Sequence, residues 1–177
     1  MAVSIRRLHA ADVSALREIR LASLVEFPTS FGSSFEEESQ RAELGAEQLV
    51  DSPGRTAFIL GAFDGASLAG ICRFTQEERT KTRHRGNIQA MYVRPAYAGQ
   101  GIGRRLLQQT LEEAFANPVI ELIMLGVVAG NAAAGRLYEQ VGFVEYGSLP
   151  NYLLVEGRYY TMRFMALNRP VASLKAA

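Results

Sequence analysis

The chain joins a predicted strand to a predicted helix through Val93-Arg-Pro-Ala-Tyr-Ala-Gly-Gln-Gly-Ile-Gly-Arg104. Glycine stands at positions 99, 101 and 103 of this stretch. Because it has no side chain, glycine adopts positive φ and lets a ligand come close to the backbone. The free N–H groups at the start of the helix then favour an anion, helped by the helix dipole. The stretch is a candidate phosphate cradle, although a tight strand–helix connection that binds nothing explains the glycines equally well.

Two common phosphate-binding loops do not fit this stretch. A Walker loop needs Gly-x-x-x-x-Gly-Lys-Ser/Thr, and no lysine is nearby. The dinucleotide fingerprint needs Gly-x-Gly-x-x-Gly. Counted from Gly99, its last position is Arg104, and counted from Gly101 it is Leu106. The spacing therefore opposes a dinucleotide-binding domain, which is kept only as a rival interpretation.

Segments with strand and helix patterns surround the glycine stretch. The helix that follows it has leucines on one face and charged or amide side chains opposite. The apolar run 121–128 is typical of a strand buried on both faces. We predict strands at 3–8, 56–63, 68–74, 87–93, 121–128, 143–149 and 158–166, helices ending at Glu26 and spanning 41–51, 103–116 and 131–141, and a loop over 28–40.

This order, β-α-α-β-β-β-α-β-α-β-β, predicts an α/β fold of the α+β type with a mixed sheet. The β-α-β segment from 87 to 128 has the length of a crossover unit and predicts one parallel strand pair. A chain of 177 residues fits one domain. We expect a single domain over 1–167, followed by a C-terminal tail over 168–177.

Two motifs resemble those of the GNAT (general N-acetyltransferase) superfamily. Residues 91–107, Met-Tyr-Val-Arg-Pro-Ala-Tyr-Ala-Gly-Gln-Gly-Ile-Gly-Arg-Arg-Leu-Leu, are similar to its motif A, Gln/Arg-x-x-Gly-x-Gly/Ala. Residues 131–143, Asn-Ala-Ala-Ala-Gly-Arg-Leu-Tyr-Glu-Gln-Val-Gly-Phe, are similar to its motif B. The resemblance implies the GNAT acyl-CoA N-acyltransferase fold. Ala98 departs from the Gln or Arg of motif A, which implies a weaker hold on CoA or a compensating charge from Arg104 or Arg105.

The resemblance also implies acetyl-CoA as the co-substrate and no metal. The backbone at 91–93 would face the pantetheine arm, Asn131 would hydrogen-bond that arm, and the N–H groups at 99–104 would hold the pyrophosphate. Gly126 would leave room for the acyl group or the acceptor. The implied cofactor-binding residues are Met91, Tyr92, Val93, Gly99, Gln100, Gly101, Ile102, Gly103, Arg104 and Asn131.

Tyr138 is the candidate catalytic residue. By the resemblance its phenol would face the CoA sulfur and protonate the departing thiolate. Helical spacing alone favours a simpler role, packing one turn after Ala134. Asn131 likewise fits the N-cap of the last helix, and the capping and binding roles are compatible.

The function implied is that of an N-acetyltransferase. It would transfer the acetyl group of acetyl-CoA to a primary amine of a small molecule or peptide, by direct attack in a ternary complex. Two alternatives stay open: a non-catalytic acyl-CoA-binding sensor on the same fold, and a protein N-terminal acetyltransferase.

The acceptor site is expected along the segment 28–40. Its aromatic rings would hold the body of an amine and its carboxylates the ammonium group. The plainer interpretation is that the rings cap the core and the glutamates face water. No general base is evident from the sequence. The candidate substrate residues are Phe31, Phe35, Glu36, Glu37 and Glu38.

Composition excludes several classes of protein. Hydrophobic residues make up 48% of the chain, so it is not a disordered protein. A net charge of +1 gives no global field for nucleic acid or an anionic membrane. A single cysteine cannot form a disulfide framework within the chain. The two histidines are far apart in the sequence, which argues against a zinc site. We find no targeting segment and no stretch of membrane-spanning length, and therefore expect a cytoplasmic protein with no nucleic-acid or membrane partner; a homodimer stays open.

Overall fold

A single mixed sheet with helices on both faces is the architecture of residues 3–52 and 54–170, which the computed structural model describes. The strands are β1 (Ser4–Arg7), β2 (Ala57–Asp64), β3 (Ser67–Gln76), β4 (Arg85–Val93), β5 (Leu122–Val128), β6 (Val144–Val155) and β7 (Arg158–Asn168). The helices are α1 (Val13–Glu26), α2 (Phe35–Ser39), α3 (Ile102–Phe115) and α4 (Ala132–Val141). The predicted order of elements and the α/β fold with a mixed sheet are confirmed.

The sheet has the strand order β1-β2-β3-β4-β5-β7-β6. Neighbouring strands are antiparallel except β4 and β5, which are joined through α3. This is the one parallel pair that the crossover length predicts.

β4 and β5 are paired at one end only. Their parallel register ends at Asn87↔Met124. Beyond that point β5 continues to pair with β7 up to Val128, and β4 with β3 up to Val93. The two strands therefore diverge, and a wedge opens between their carboxyl ends.

A bulge in β4 lies where the wedge opens. The β3–β4 register shifts between Ile71 and Arg73. Across from them, Ala90 has a φ of 49°. A bulge bends its strand and increases the local twist. The second half of β4 consequently turns away from β5.

Two hydrophobic clusters hold the helices on the sheet. The larger lies under α3 and α4 and includes Leu106, Leu107 and Phe74. The smaller lies under α1 and includes Leu16, Ile19 and Ile71. The two helix layers thus leave the wedge between β4 and β5 accessible from one end of the sheet.

The segment between α1 and β2 differs from the prediction. The helix lies at Phe35–Ser39, inside the predicted loop 28–40, whereas the predicted helix 41–51 contains only a 3-10 turn at Glu47–Leu49. The cause is a capping box: the Ser34 hydroxyl accepts from the Glu37 N–H, and the Glu37 carboxylate accepts from the Ser34 N–H, both at 3.2 Å.

The C-terminal end of the described chain belongs to the sheet. β7 includes Asn168, and the guanidinium of Arg169 donates to the carbonyls of Phe115, Ile120 and Asn117. Asn168 and Arg169 of the predicted tail 168–177 are therefore part of the packed structure, because these contacts hold them against α3 and the loop after it. Residues 171–177 of that predicted tail lie outside the described residues.

None of the helices in the described ranges is long and apolar enough to cross a membrane.

Candidate active site

A cleft of about 460 Å³ occupies the wedge between β4 and β5. Five parts of the chain line it: the segment after α1, the second half of β4, the loop that leads into α3, the carboxyl end of β5 and α4. The sheet thus places the glycine stretch and motif B on opposite sides of one cavity. We call this cavity the main cleft.

The glycine stretch presents a row of free backbone donors to the main cleft. Gly99 and Gly101 have φ values of 75° and 72°. Gly101 is the N-cap of α3, and the first helical bond runs from the Arg105 N–H to the Gly101 carbonyl. Within the described part of the chain, the N–H groups from 99 to 104 have no backbone acceptor. These donors suit an anion at the helix start, where the dipole also favours one.

The space beside Gly99 and Gly101, the two glycines with positive φ, is open. A Cβ at Gly99 or Gly101 would meet nothing within 4 Å. Glycine is therefore required there by the left-handed backbone, and the volume that a side chain would take stays free. Gly103 has ordinary backbone and would place a Cβ 3.5 Å from Met91 Cε.

The cationic side chains near the loop have different roles. Arg104 is exposed and lines the main cleft. Arg105 instead donates to the Val3 carbonyl at 2.9 Å. Ala98 also lines the cleft and adds no charge. Of the two arginines considered in place of the motif A side chain, only Arg104 faces the cavity.

The β4 residues Met91, Tyr92 and Val93 line the main cleft with a backbone edge that β5 leaves unpaired. The Tyr92 hydroxyl donates to the Glu26 carboxylate at 2.6 Å. Burial and this bond raise the pKa of Tyr92 above its usual range. Its phenol is thus already engaged, whereas the backbone edge is available to a ligand.

Tyr138 lies on α4 and lines the main cleft from the opposite side. Its ring is 6% exposed and packs edge-on against Phe143, with the ring centroids 6.0 Å apart. Its hydroxyl has no hydrogen-bond partner among the described residues. The residue lines the main cleft, and the buried Cys72 also acts on its phenol. Burial raises the pKa of Tyr138 above its usual range, so the phenol keeps its proton through the physiological range.

Asn131 caps α4 and lines the same cleft. Its Oδ1 accepts from the Ala134 N–H at 3.1 Å, and its Nδ2 lies 3.4 Å from the Ser30 hydroxyl. The N-cap role considered from the sequence is thus present. The long contact to Ser30 leaves the amide donor available to a second partner.

A second cavity of about 420 Å³, which we call the side chamber, adjoins the main cleft. The two share Ser30, Phe31, Ile88, Gln89, Ala90 and Gly126. A Cβ at Gly126 would lie 3.1 Å from Met162 Sδ. A side chain at Gly126 would therefore crowd the passage between the two cavities.

The candidate substrate residues are not brought together. Phe31 lines both cavities and Glu38 lines the side chamber. Phe35, Glu36 and Glu37 do not line either cavity, and the Glu37 carboxylate is used in the capping box of α2 with Ser34. The short helix turns three of the five side chains away from the cavities.

Glu38 is held by an arginine that the sequence analysis did not consider. Arg20 Nε and Nη2 donate to the two Glu38 carboxylate oxygens at 3.0 and 2.8 Å. Burial works to raise the pKa of Glu38, but the bonds from Arg20 and Ser33 outweigh it and the pKa is lowered. Both carboxylate oxygens are thus engaged before any ammonium group arrives.

Arg20 and Arg73 are the side-chamber residues that sequence reasoning missed. Arg20 follows Leu16 by one helical turn and precedes Leu24 by another, so it lies on the buried face of α1 with Ile19. Arg73 follows Ile71 by two strand positions and shares its sheet face, opposite Cys72. The sequence does contain a signal for both residues. Each is an arginine at a position where the helix or strand pattern predicts a side chain that faces the core.

Replacing Glu38 with glutamine should lower the free energy of unfolding by about 2 kcal/mol, because it leaves the Arg20 charge buried without its partner. Arg20 is 8% exposed, so water compensates little. Urea unfolding measures the loss. Glu36→Gln, an exposed neighbour in the same helix, is the matched control and should change stability by less than about 0.5 kcal/mol. Equal stability of the two variants would show that the pair contributes nothing.

Comparison with known proteins assigns this architecture. The model of the acetyltransferase (GNAT) family matches residues 16–143. The L-methionine sulfoximine/L-methionine sulfone acetyltransferase of Salmonella typhimurium is 26% identical over 166 residues, covering 93% of this chain and 94% of that protein. The N-alpha-acetyltransferase RimI of Mycobacterium tuberculosis is 34% identical over 150 residues, covering 77% and 92%. The yncA protein of Salmonella typhimurium, solved with its cofactor acetyl-CoA, superposes with a TM-score of 0.78 at 22% identity and 100% coverage of both chains.

Proposed function

Because this chain belongs to the GNAT family of acetyltransferases, we propose that it binds acetyl-CoA in the main cleft and transfers the acetyl group directly to a primary amine of a small molecule or peptide. The observation that carries the proposal is the wedge between β4 and β5. Its mouth has a row of free N–H donors, and Tyr138 lies on its wall.

The residues of the wedge fit acetyl-CoA part by part. The N–H groups at 99–104 would hold the pyrophosphate, with Arg104 adding charge. The free edge of Met91, Tyr92 and Val93 would pair with the amides of the pantetheine arm, as a strand pairs with its neighbour. The Asn131 amide would donate to the same arm from α4. The thioester would then lie near Gly126, where the two cavities meet.

In the proposed reaction the amine nitrogen forms a bond to the thioester carbonyl carbon, and the C–S bond breaks. A backbone N–H near Val93 would stabilise the negative charge on the carbonyl oxygen. Tyr138 would give its proton to the departing thiolate, because its phenol is neutral and the residue lines the cleft. The phenol would then recover a proton from solvent.

The acceptor must lose a proton before it attacks. An alkyl ammonium group with a pKa near 10.4 costs roughly 4–5 kcal/mol to deprotonate at pH 7. Among the described residues, no carboxylate or imidazole lines the main cleft. We therefore propose that water takes the amine proton.

This arrangement predicts a one-sided pH profile. The kcat/KM for the amine should rise about tenfold per pH unit below the pKa of the acceptor and then level off. It should not fall again below about pH 10, because the raised pKa keeps Tyr138 protonated. A falling limb between pH 7 and 9, in a buffer series of constant ionic strength, would contradict the combination of Tyr138 as the acid and a raised pKa for its phenol.

Amine-dependent release of free thiol from acetyl-CoA tests the proposed function. An enzyme releases thiol in proportion to the added amine. A sensor on the same fold would bind acetyl-CoA in a calorimetric titration and release no thiol with any acceptor.

A further inference from the structure

The side chamber has a marked excess of positive charge. Its charged lining residues are three arginines, at positions 20, 41 and 73, and one glutamate, Glu38. The single carboxylate is engaged by Arg20 through both of its oxygens. The chamber adjoins the main cleft at Gly126 and Ala90, so an acceptor that reaches the thioester would pass this charge. Arg41 is exposed, whereas Arg20 and Arg73 are not.

Of the two side-chamber arginines that are not exposed, Arg73 is the one that forms no ion pair with a carboxylate of the described residues. Its Nε is buried and has no hydrogen-bond partner in residues 3–52 and 54–170. No carboxylate of these residues forms an ion pair with it. Burial and the neighbouring Arg20 charge lower its pKa, and Glu38 acts in the opposite direction without cancelling them. A buried guanidinium donor left unpaired in the free protein is costly, so a bound anion would relieve it.

The position of Arg73 in the sheet also suits contact with a bound acceptor. Its Cα is paired with that of Gln89, and Gln89 lines both cavities. Arg73 therefore lines the side chamber next to Gln89, a residue of the passage through which the amine would meet the thioester. Phe31, Tyr152 and Met162 supply apolar walls around the same chamber.

We propose that the side chamber selects an amine acceptor that also carries a carboxylate, with Arg73 as the residue that binds this carboxylate. The proposal rests on the function proposed above and narrows its acceptor. Planar guanidinium groups pair with carboxylates through parallel N–H bonds, and removing water from the pair strengthens it. Combined with the apolar walls, this chemistry fits a free α-amino acid with an apolar side chain. It does not fit a peptide N-terminus, whose α-carboxyl group is an amide, nor a polyamine.

The first test compares L-methionine and L-leucine with their carboxamides as acceptors, measured by thiol release from acetyl-CoA. The amide keeps the side chain and the amine but removes the negative charge. We expect the kcat/KM of each acid to exceed that of its amide by at least about tenfold, one favourable charge-assisted contact. Equal or faster use of the amides would overturn the proposal, and it is also the result expected of an acceptor site built for peptide N-termini.

The second test changes the arginine. Arg73→Gln should raise the KM for the acids at least about tenfold and leave the KM for the amides and the Kd for acetyl-CoA unchanged. Arg73→Lys should recover part of the loss, because it keeps the charge without the planar fork. Arg79→Gln, the same substitution in an exposed turn, is the matched control and should behave as the parent. A loss that falls equally on acids and amides would make Arg73 a structural residue and contradict the proposal.

The outcomes separate this proposal from the function on which it rests. If carboxylate-free amines release thiol as well as the amino acids do, the acetyltransferase function stands and the carboxylate site falls. If acetyl-CoA binds and no amine releases thiol, the acetyltransferase function falls. In that case calorimetric titration of L-methionine into the CoA-saturated protein decides the second question: binding that Arg73→Gln abolishes supports the carboxylate site, and no binding overturns it.

Discussion

Replacing Tyr138 with phenylalanine is expected to lower kcat about 100-fold, within the usual contribution of a general acid. The substitution keeps the ring, which is 6% exposed and packed against Phe143, and removes the hydroxyl. Without that proton donor the thiolate has to leave as an anion or take a proton from water. The Kd for acetyl-CoA should stay within about twofold, because cofactor binding is assigned to the loop and the strand edge. Single-turnover and steady-state thiol release together measure the effect on the chemical step.

A matched control for this variant lies on the surface of the sheet. Tyr159 is 63% exposed on β7, so Tyr159→Phe makes the same change away from the main cleft and should leave kcat unaltered. If Tyr138→Phe is as fast as the parent while the chemical step is rate-limiting, Tyr138 is a packing residue and its raised pKa is only a consequence of burial.

Replacing Gly103 with glutamate is expected to raise the Kd for acetyl-CoA about 100-fold, which corresponds to roughly 2.8 kcal/mol. Gly103 lines the main cleft in the first turn of α3, beside Met91, Val93 and Leu137. A longer side chain there would enter the cleft, and its carboxylate would repel the pyrophosphate at the N–H cradle. The helix itself should tolerate the change, because an acidic residue near a helix N-terminus is favourable. Isothermal titration with acetyl-CoA gives the Kd.

Gly103→Ala separates the effect of charge and bulk from that of losing a glycine. The new Cβ would stand 3.5 to 3.7 Å from its neighbours, which is ordinary contact. Alanine in a helix should match or exceed the parent's stability and bind acetyl-CoA within about threefold. Gly101 is a poorer site for this experiment, because its φ of 72° strains any side chain. Unchanged affinity in Gly103→Glu would remove the start of α3 from the cofactor site.

The sequence was sufficient to predict those elements that are determined by a local pattern of residues. α3 has a complete apolar stripe, and this stripe packs against the sheet. Gly142 ends α4 with a φ of 107°. The glycine stretch predicted a backbone with positive φ and exposed N–H groups, which the loop has. The segment 28–51 was predicted wrongly, because the prediction did not consider the capping box of Ser34 and Glu37, whose reciprocal bonds start α2.

The sequence could predict the cofactor-binding residues but not the residues of the acceptor site. The loop and the strand edge come from motif A, and Asn131 and Tyr138 come from motif B. The crossover unit β4-α3-β5 and the helix α4 that follows it bring these residues to the wedge. The side chamber instead draws Arg20 from α1 and Arg73 from β3. Which of those side chains meet depends on how α1 lies across the sheet, and a bulge at Ala90 fixes the passage between the cavities. No local pattern encodes that packing, so carboxylates at 36–38 stood out in the sequence while the buried arginines did not.

A crystal structure of the protein with CoA tests the central claim most directly, through the distance from the CoA sulfur to the Tyr138 hydroxyl. We expect the sulfur within hydrogen-bond reach of that hydroxyl, about 3.5 Å, so that the phenol can give its proton directly to the thiolate. The pyrophosphate should lie on the N–H groups of residues 99–104, with the pantetheine arm along Met91 to Val93. A CoA molecule bound outside the wedge, or one in the wedge with its sulfur beyond reach of Tyr138, would contradict the account.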